Sequence, residues 1–262
     1  MTYRLAVVGG GNMGAALVGG LLSAGWSAPD IVVVEVAAER LPVLREMFPG
    51  VEVVTSLDGL RCRSALIAVK PYGVPSATAA AVAAGAERVL SIAAGVTVAT
   101  LQAAAGSAAV VRAMPNTPAL VGEGAAAICA GPTATEADLV WAEELLGAVG
   151  LVVRVSEAHL DAVTGLAGSG PAYLFLVAEA LIDAGVLAGL PRATSEALVT
   201  QLFVGSSALL RDRGDAAALR AMVTSPGGTT AAGLRVLEEQ AVRSALLEAV
   251  MAATRRSAEL GA

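Results

Sequence analysis

Short runs of β-branched and other apolar residues recur along the first part of the chain, separated by stretches whose apolar positions fall three and four apart. The runs Arg4–Val8, Ile31–Val36, Val51–Val54, Ser64–Val69, Arg88–Ile92, Ala109–Ala113, Ala125–Cys129 and Leu151–Val155 predict strands. Between them, Met13–Ala24, Pro75–Ala84, Val98–Ala105 and Glu136–Ala148 predict helices. This alternation is that of an α/β domain with a parallel sheet flanked by helices. After about Ser156 the strand signals stop, and Pro171–Ala188, Pro191–Arg211 and Ala241–Leu260 carry long helical periodicity. Pro171 and Pro191 suit first helical positions, where a missing N–H costs nothing. The chain therefore reads as an α/β domain over residues 1–157 and an all-helical domain over 158–262. The helical half is rich in Ala and Gly and poor in charge. Alone it would expose broad apolar faces, so a dimer built through it is expected.

Composition sharpens this picture. Of the 262 residues, 56% are hydrophobic and only 3% aromatic, so the cores must be built of Ala, Val and Leu, which suits close helix packing. The net charge of -6, with no basic cluster stronger than Arg255-Arg256, leaves nothing to neutralise a phosphate backbone, and no nucleic-acid partner is expected. Cys62, Cys129 and the single histidine, His159, are too few for a disulfide framework or a metal site. The mean hydropathy of +0.71 raises the question of a membrane span, and Val89–Val111 does run without a charge. Gly95, Thr97, Thr100, Gln102, Gly106 and Ser107 break that run as strand, turn and short helix would, so no span is expected. Met1 leads directly into the first strand without the pattern of a leader peptide, so a cytoplasmic protein is expected.

Candidate chemistry begins where the first predicted strand ends. Gly9-Gly10-Gly11-Asn12-Met13-Gly14 follows the strand and opens a helix, so Gly9, Gly11 and Gly14 match the G-x-G-x-x-G fingerprint in its required context. The first glycine permits the turn, the second admits backbone to a pyrophosphate, and the third packs helix on strand. Glu35, near the end of the second strand, is placed to accept hydrogen bonds from the adenosine ribose and to repel a 2′-phosphate. That leans toward NADH, with Arg40 close enough in sequence to compensate. Lys70, the only lysine, sits at the carboxyl end of a predicted parallel strand, where such sheets bind ligands. Two later segments resemble anion cradles at helix starts, Gly168-Ser169-Gly170-Pro171-Ala172-Tyr173 and Ser225-Pro226-Gly227-Gly228-Thr229-Thr230, the second with Ser225 as N-cap and Pro226 in the first turn. Arg112-Ala113-Met114-Pro115-Asn116-Thr117-Pro118 reads as a stiff loop that presents polar groups to a cofactor. Each of these segments has a plainer reading as ordinary capping or a rigid turn.

Taken together, Val8–Gly14, Ala68-Val69-Lys70-Pro71, Ser91–Gly95, Arg112–Pro118, Gly168–Tyr173 and Ser225–Thr230 resemble the pyrroline-5-carboxylate reductases in order and spacing over essentially the whole chain. Ser225–Thr230 is the most specific of these blocks. The resemblance implies an N-terminal Rossmann domain, a C-terminal helical domain that dimerises, and reduction of L-1-pyrroline-5-carboxylate to L-proline by NADPH or NADH. It implies a homodimer or a higher homo-oligomer. Cofactor contacts are implied for Gly9, Gly10, Gly11, Asn12, Met13, Gly14, Ser56, Ala68, Val69, Lys70, Pro71 and Ala94, to which the loop adds Asn116 and the second strand Glu35. Substrate contacts are implied for Ser225, Gly227, Gly228, Thr229 and Thr230, with Thr230 near the imine nitrogen as the catalytic candidate. The chain departs from the family pattern at Glu35-Val36-Ala37, where NADPH-using relatives tend to place small hydroxyl residues or an arginine. It departs again at Ala221 and at Gly214-Asp215-Ala216, which bear on local helix geometry.

The inventory of acids narrows the reaction independently. Hydroxyacid dehydrogenases of similar design resemble one another in drawing a lysine from the helical half, and this chain has none after Lys70. His159, near the domain junction, reads as a partly buried structural residue. An imine is basic enough to bring its own proton, so a hydroxyl such as Thr230 and water suffice. Two alternatives stay open on the residues alone: a 3-hydroxyacid dehydrogenase-like enzyme and a non-catalytic NAD(P)-binding regulatory protein.

Overall fold

The computed structural model describes residues 2–261 and divides into two compact units. One runs through Ser169 and takes back the last helix from Met251 onward; the other is Gly170–Val250. The first unit holds all the strands among the described residues: β1 (Thr2–Tyr3), β2 (Leu5–Val8), β3 (Ile31–Val34), β4 (Glu52–Val54), β5 (Arg61–Cys62), β6 (Ser64–Ile67), β7 (Arg88–Ser91), β8 (Ala109–Met114), β9 (Gly124–Ala130) and β10 (Gly150–Arg154). β1 pairs only with β5, and the other eight form one sheet in the order β10-β9-β8-β7-β6-β2-β3-β4. β2, β3 and β6 are buried at every position, as strands covered on both faces must be.

The side chains of these strands alternate between two core layers. Leu5, Val7, Val33, Leu66 and Leu90 pack with Leu17, Leu21, Leu44, Trp141 and Leu145. These partners come from α1 (Asn12–Ser23), α2 (Arg40–Met47) and α5 (Glu136–Gly147). Ala6, Val8, Val32, Ala65 and Ile67 pack with Val74, Ala77, Ala81 and Leu101, which belong to α3 (Val74–Ala83) and α4 (Val98–Ala105). The chain leaves β2 for β3 on one side and returns to β6 on the other, so a switch point lies at the carboxyl ends of β2 and β6.

Each strand and interleaved helix expected from the pattern is present within one or two residues at each end. The all-parallel expectation needs correction, because β9 runs antiparallel to β8 while β10 returns parallel to β9. The link between β8 and β9 is Pro115–Glu123, a short 3-10 turn, whereas a parallel return needs a crossover of about a dozen residues or more. The pattern did not show α2, whose Pro42 is tolerated in the first turn but blurs the periodicity.

The helical part begins with a 3-10 turn at Glu157–His159, then α6 (Leu160–Val163) and a π stretch at Thr164–Gly168. This segment stays with the first unit. Arg112 Nη1 bonds Glu157 Oε1 at 2.8 Å, and the same oxygen accepts the N–H of Val98 at the start of α4 at 2.7 Å. Ser257 Oγ donates to Asp161 Oδ1 at 2.7 Å, which ties the end of α11 (Val242–Gly261) to the same region. The sequence put the division near residue 157; these polar ties carry the first compact unit on to Ser169.

In the second unit, α7 (Gly170–Leu187) and α8 (Arg192–Arg213) pack as a hairpin, followed by α9 (Ala216–Met222) and α10 (Thr229–Glu239). The close approach of α7 and α8 depends on small residues: a Cβ at Gly185 would stand 2.2 Å from Ser195 Oγ, and that hydroxyl donates to Ile182 O. At the departure Gly214-Asp215-Ala216, the Asp215 carboxylate accepts the N–H groups of Ala217 and Ala218 and so caps α9. Leu174, Phe175, Leu176 and Leu187 stand exposed on α7, which has no buried residue. Glu157–Leu187 is long and apolar enough to cross a membrane by length and composition, a feature the sequence reading had sought at Val89–Val111 instead.

Cys62 and Cys129 are free and buried in separate parts of the core, and burial pushes both thiols up to about 11. A raised value means that the neutral, unreactive form dominates at mildly alkaline pH. A thiol reagent at that pH should therefore label neither cysteine in the native chain and both after denaturation, as counted by mass spectrometry.

A cleft at the switch point

The carboxyl ends of β2 and β6 open into a cleft of about 720 Å³. Its wall is made by Gly9, Gly11, Asn12 and Met13 after β2, Glu35 and Val36 after β3, and Ala68–Tyr72 after β6. Ile92–Ala94 after β7 and Met114-Pro115 at the end of β8 complete it. Open sheets bind ligands at this place, because the chain departs in opposite directions from neighbouring strands and leaves a gap.

The glycine turn shows which part of its sequence serves the fold and which does not. Gly9 has φ +109, and a Cβ there would lie 2.6 Å from the carbonyl oxygen of Ala68. A Cβ at Gly14 would lie 2.0 Å from the oxygen of Gly9, so only glycine lets α1 start this close to the turn. Gly11 is different. It has an ordinary φ of -64, caps α1, and a Cβ on it would find no atom within 4 Å. Nothing in the protein asks for glycine at that position, which borders the cleft at the N-terminus of a helix. Room kept free beside helical N–H groups fits a diphosphate, the anion such a terminus attracts. Lys70, whose ammonium has no partner among the described residues, adds a cation to the same wall.

Other expected residues lie elsewhere. Gly10 and Gly14 are buried beneath the turn and do not face the cleft. Ser56 is exposed after β4, outside the cleft wall, and pairs with Asp58. Asn116 and Arg112, expected to present polar groups to a cofactor, are not part of the cleft wall. Asn116 Oδ1 accepts the N–H of Ala125, its Nδ2 donates to Ala167 O, and Arg112 is spent on Glu157, so the wall receives Met114 and Pro115 instead. His159 is exposed rather than partly buried, with Nδ1 2.9 Å from Ser156 Oγ. Sequence reasoning missed Val36 and Tyr72, the most exposed apolar side chains of the wall at 82% and 90%. An exposed aromatic beside the marked Lys70-Pro71 pair was the available signal for the latter.

Glu35 does line the cleft, but it is only 9% exposed and turned inward. Its Oε2 accepts the N–H of Gly10 at 3.0 Å and its Oε1 the N–H of Ala37 at 2.9 Å. The lone-pair directions that the sequence reading assigned to a ribose are thus partly taken by backbone.

Of the two anion cradles, Gly168–Tyr173 is not a fresh helix start. Helical backbone runs into it through the π stretch, and the N–H of Ser169 is spent on Thr164 O. Ser225–Thr230 is a start, though a later one than expected. Ser225–Gly228 forms a turn closed by Gly228 N–H on Ser225 O, with Gly227 at φ +68, so Gly228 rather than Ser225 caps α10. That cap has no side-chain bond, and the hydroxyls of Ser225, Thr229 and Thr230 have no partner among the described residues. The first N–H groups of α10 and three hydroxyls are therefore free for an anion.

If Gly11 is kept small for a ligand and Gly14 for the fold, the two respond differently to alanine. Gly11→Ala should leave the melting temperature within a few degrees while lowering dinucleotide affinity about tenfold or more. Gly14→Ala should lower both, as read by thermal denaturation and by fluorescence titration with NAD(P)H.

Residues 157–260 match the family model for pyrroline-5-carboxylate reductase dimerisation, and residues 4–95 match the model for NADP oxidoreductase, coenzyme F420-dependent. The curated pyrroline-5-carboxylate reductase of Synechocystis is 44% identical, over 100% of this chain and 99% of its own. The solved pyrroline-5-carboxylate reductase of Coxiella burnetii superposes with a TM-score of 0.92 at 34% identity, covering 100% of both chains. That of Plasmodium falciparum, solved with NADP bound, gives 0.86 at 29% identity over 99% of this chain and 98% of the other. With its fold and both parts of its length matched in this way, the chain belongs to the pyrroline-5-carboxylate reductase family.

Proposed function

We propose that this protein reduces the C=N bond of L-1-pyrroline-5-carboxylate to give L-proline, with NADPH or NADH as reductant. The observation that carries the reading is that each unit has one open helix start, the two being of different scale. One, at α1, has Gly11 and an unpartnered lysine beside it; the other, at α10, carries three free hydroxyls. A diphosphate suits the first and a small carboxylate the second.

The cleft residues Gly9, Gly11, Asn12, Met13, Ala68, Val69, Lys70, Pro71 and Ala94 are assigned to the dinucleotide. Gly10 and Gly14 support them from beneath. Ser56 is assigned to the adenosine end on the resemblance alone, and Asn116 to holding the loop after β8. When bound, the nicotinamide supplies the hydride. The N–H groups of Thr229 and Thr230 with the Ser225 hydroxyl are assigned to the substrate carboxylate, and Gly227 and Gly228 keep the approach to them clear of side chains. The Thr230 hydroxyl is assigned to the imine nitrogen, where it orients the group and passes a proton to or from water.

No stronger acid is required. An imine nitrogen is protonated far more readily than a ketone oxygen, so the substrate arrives with the proton that an alkoxide would have to be given. The only histidine is exposed and held by Ser156, and the only lysine lies in the dinucleotide cleft. This favours imine reduction over hydroxyacid oxidation, and catalysis is then mainly the positioning of two reactants. The exposed apolar face of α7 lies within the dimerisation match, and we assign it to a second copy of this chain, in a dimer or a higher assembly. A cytoplasmic setting, without membrane or nucleic acid, goes with this reading.

A spectrophotometric assay with pyrroline-5-carboxylate, run in parallel with NADH and NADPH, tests the activity; oxidation of neither would sink it, and turnover of a 3-hydroxyacid with NAD or NADP would replace it. Within an active enzyme, Thr230→Ala should lower the rate of imine reduction by about tenfold to a hundredfold while leaving NAD(P)H affinity nearly unchanged. Loss of cofactor binding in that variant would show that the substrate half has been misassigned.

A further inference from the structure

Glu35 and Arg40 approach one residue, Gly10, from two sides. The Glu35 carboxylate accepts the Gly10 N–H, while Arg40 donates both Nε, at 3.0 Å, and Nη2, at 2.7 Å, to the Gly10 carbonyl oxygen. Gly10 itself is buried, and a Cβ on it would lie 2.4 Å from Leu44 Cδ1, so α2 is seated directly against the turn. Gly9 and Gly11, its two neighbours, both face the cleft. Holding the middle residue at its N–H and its C=O fixes the orientation of the peptide groups on either side, which are the ones that meet the diphosphate.

We propose that Glu35 and Arg40 are a pair of positioning residues that clamp Gly10 and thereby set the diphosphate-binding turn, and that neither selects between NADH and NADPH. This rests on the assignment of the cleft to a dinucleotide. Each Glu35 oxygen accepts one backbone N–H, one of these bonds buried, so the carboxylate is fixed against the turn rather than left to swing toward a ribose substituent. Arg40 spends two of its donors on a carbonyl rather than waiting free for a phosphate.

The test is equilibrium binding of NADH and NADPH to the full-length protein, followed by cofactor fluorescence, for the wild type, Glu35→Gln, Arg40→Met and the double variant. Each single change should weaken both cofactors by about tenfold, as loosening the charge-assisted hold on Gly10 does, with their ratio constant to within about twofold. Because both groups act on one residue, the double variant should lose less than the product of the two single losses. Arg40→Lys, which keeps a cation able to reach the same carbonyl, should recover part of the affinity, which a merely destabilised fold would not show. A tighter grip on NADPH with weaker binding of NADH in Glu35→Gln would make Glu35 a ribose-facing selector and overturn the proposal. Selective loss of NADPH in Arg40→Met would make Arg40 a 2′-phosphate ligand and do the same, as would fully multiplicative losses in the double variant. If the wild type binds neither dinucleotide, it is the assignment of the cleft that fails.

Discussion

The start of α1 against the turn after β2 is the constraint on which the first unit is arranged. The Cα of Gly14 comes so near the Gly9 oxygen that no side chain fits between them, and Gly9 in turn presses on the backbone of Ala68. The helix therefore begins at once at the end of the strand, with its unbonded N–H groups facing the gap between β2 and β6. Loosening this contact by one methyl group would move the helix start, the floor of the cleft and the β2–β6 junction together.

Several charged groups in this unit fix the positions of other elements. Glu35 and Arg40 hold Gly10; Arg112 and Glu157 hold the start of α4; Asp161 holds the last helix through Ser257. A protein whose core is made of small aliphatic residues gains little orientation from packing shape, and directional bonds from charged side chains to backbone supply it. Lys70 is a charge left unspent in the cleft wall. In the second unit the hydroxyls of Ser225, Thr229 and Thr230 are unspent in the same way.

The alternation of side chains in β2, β3 and β6, and the spacing of glycines after β2, were legible because they depend on local geometry. A strand has period two and a helix 3.6 in any context, and a turn at φ +109 needs glycine whatever surrounds it. The direction of β9 was not legible, because strand direction depends on the path of the link rather than on the strand. Nor was α2, whose identity as a helix comes from Leu44 packing on the turn.

For the site, the sequence by itself determined which residue types are at hand: one lysine, one histidine, a glycine fingerprint and a hydroxyl-rich helix start. Only the tertiary structure decided how they are used. It set the Glu35 carboxylate against the N–H of Gly10, gave both ends of the Asn116 amide to neighbouring backbone, set His159 on the surface, and brought Tyr72 and Met114 to the cleft. The reason is that a polar side chain binds whichever partner the fold brings within about three ångströms, and that distance is set by residues far away in the chain.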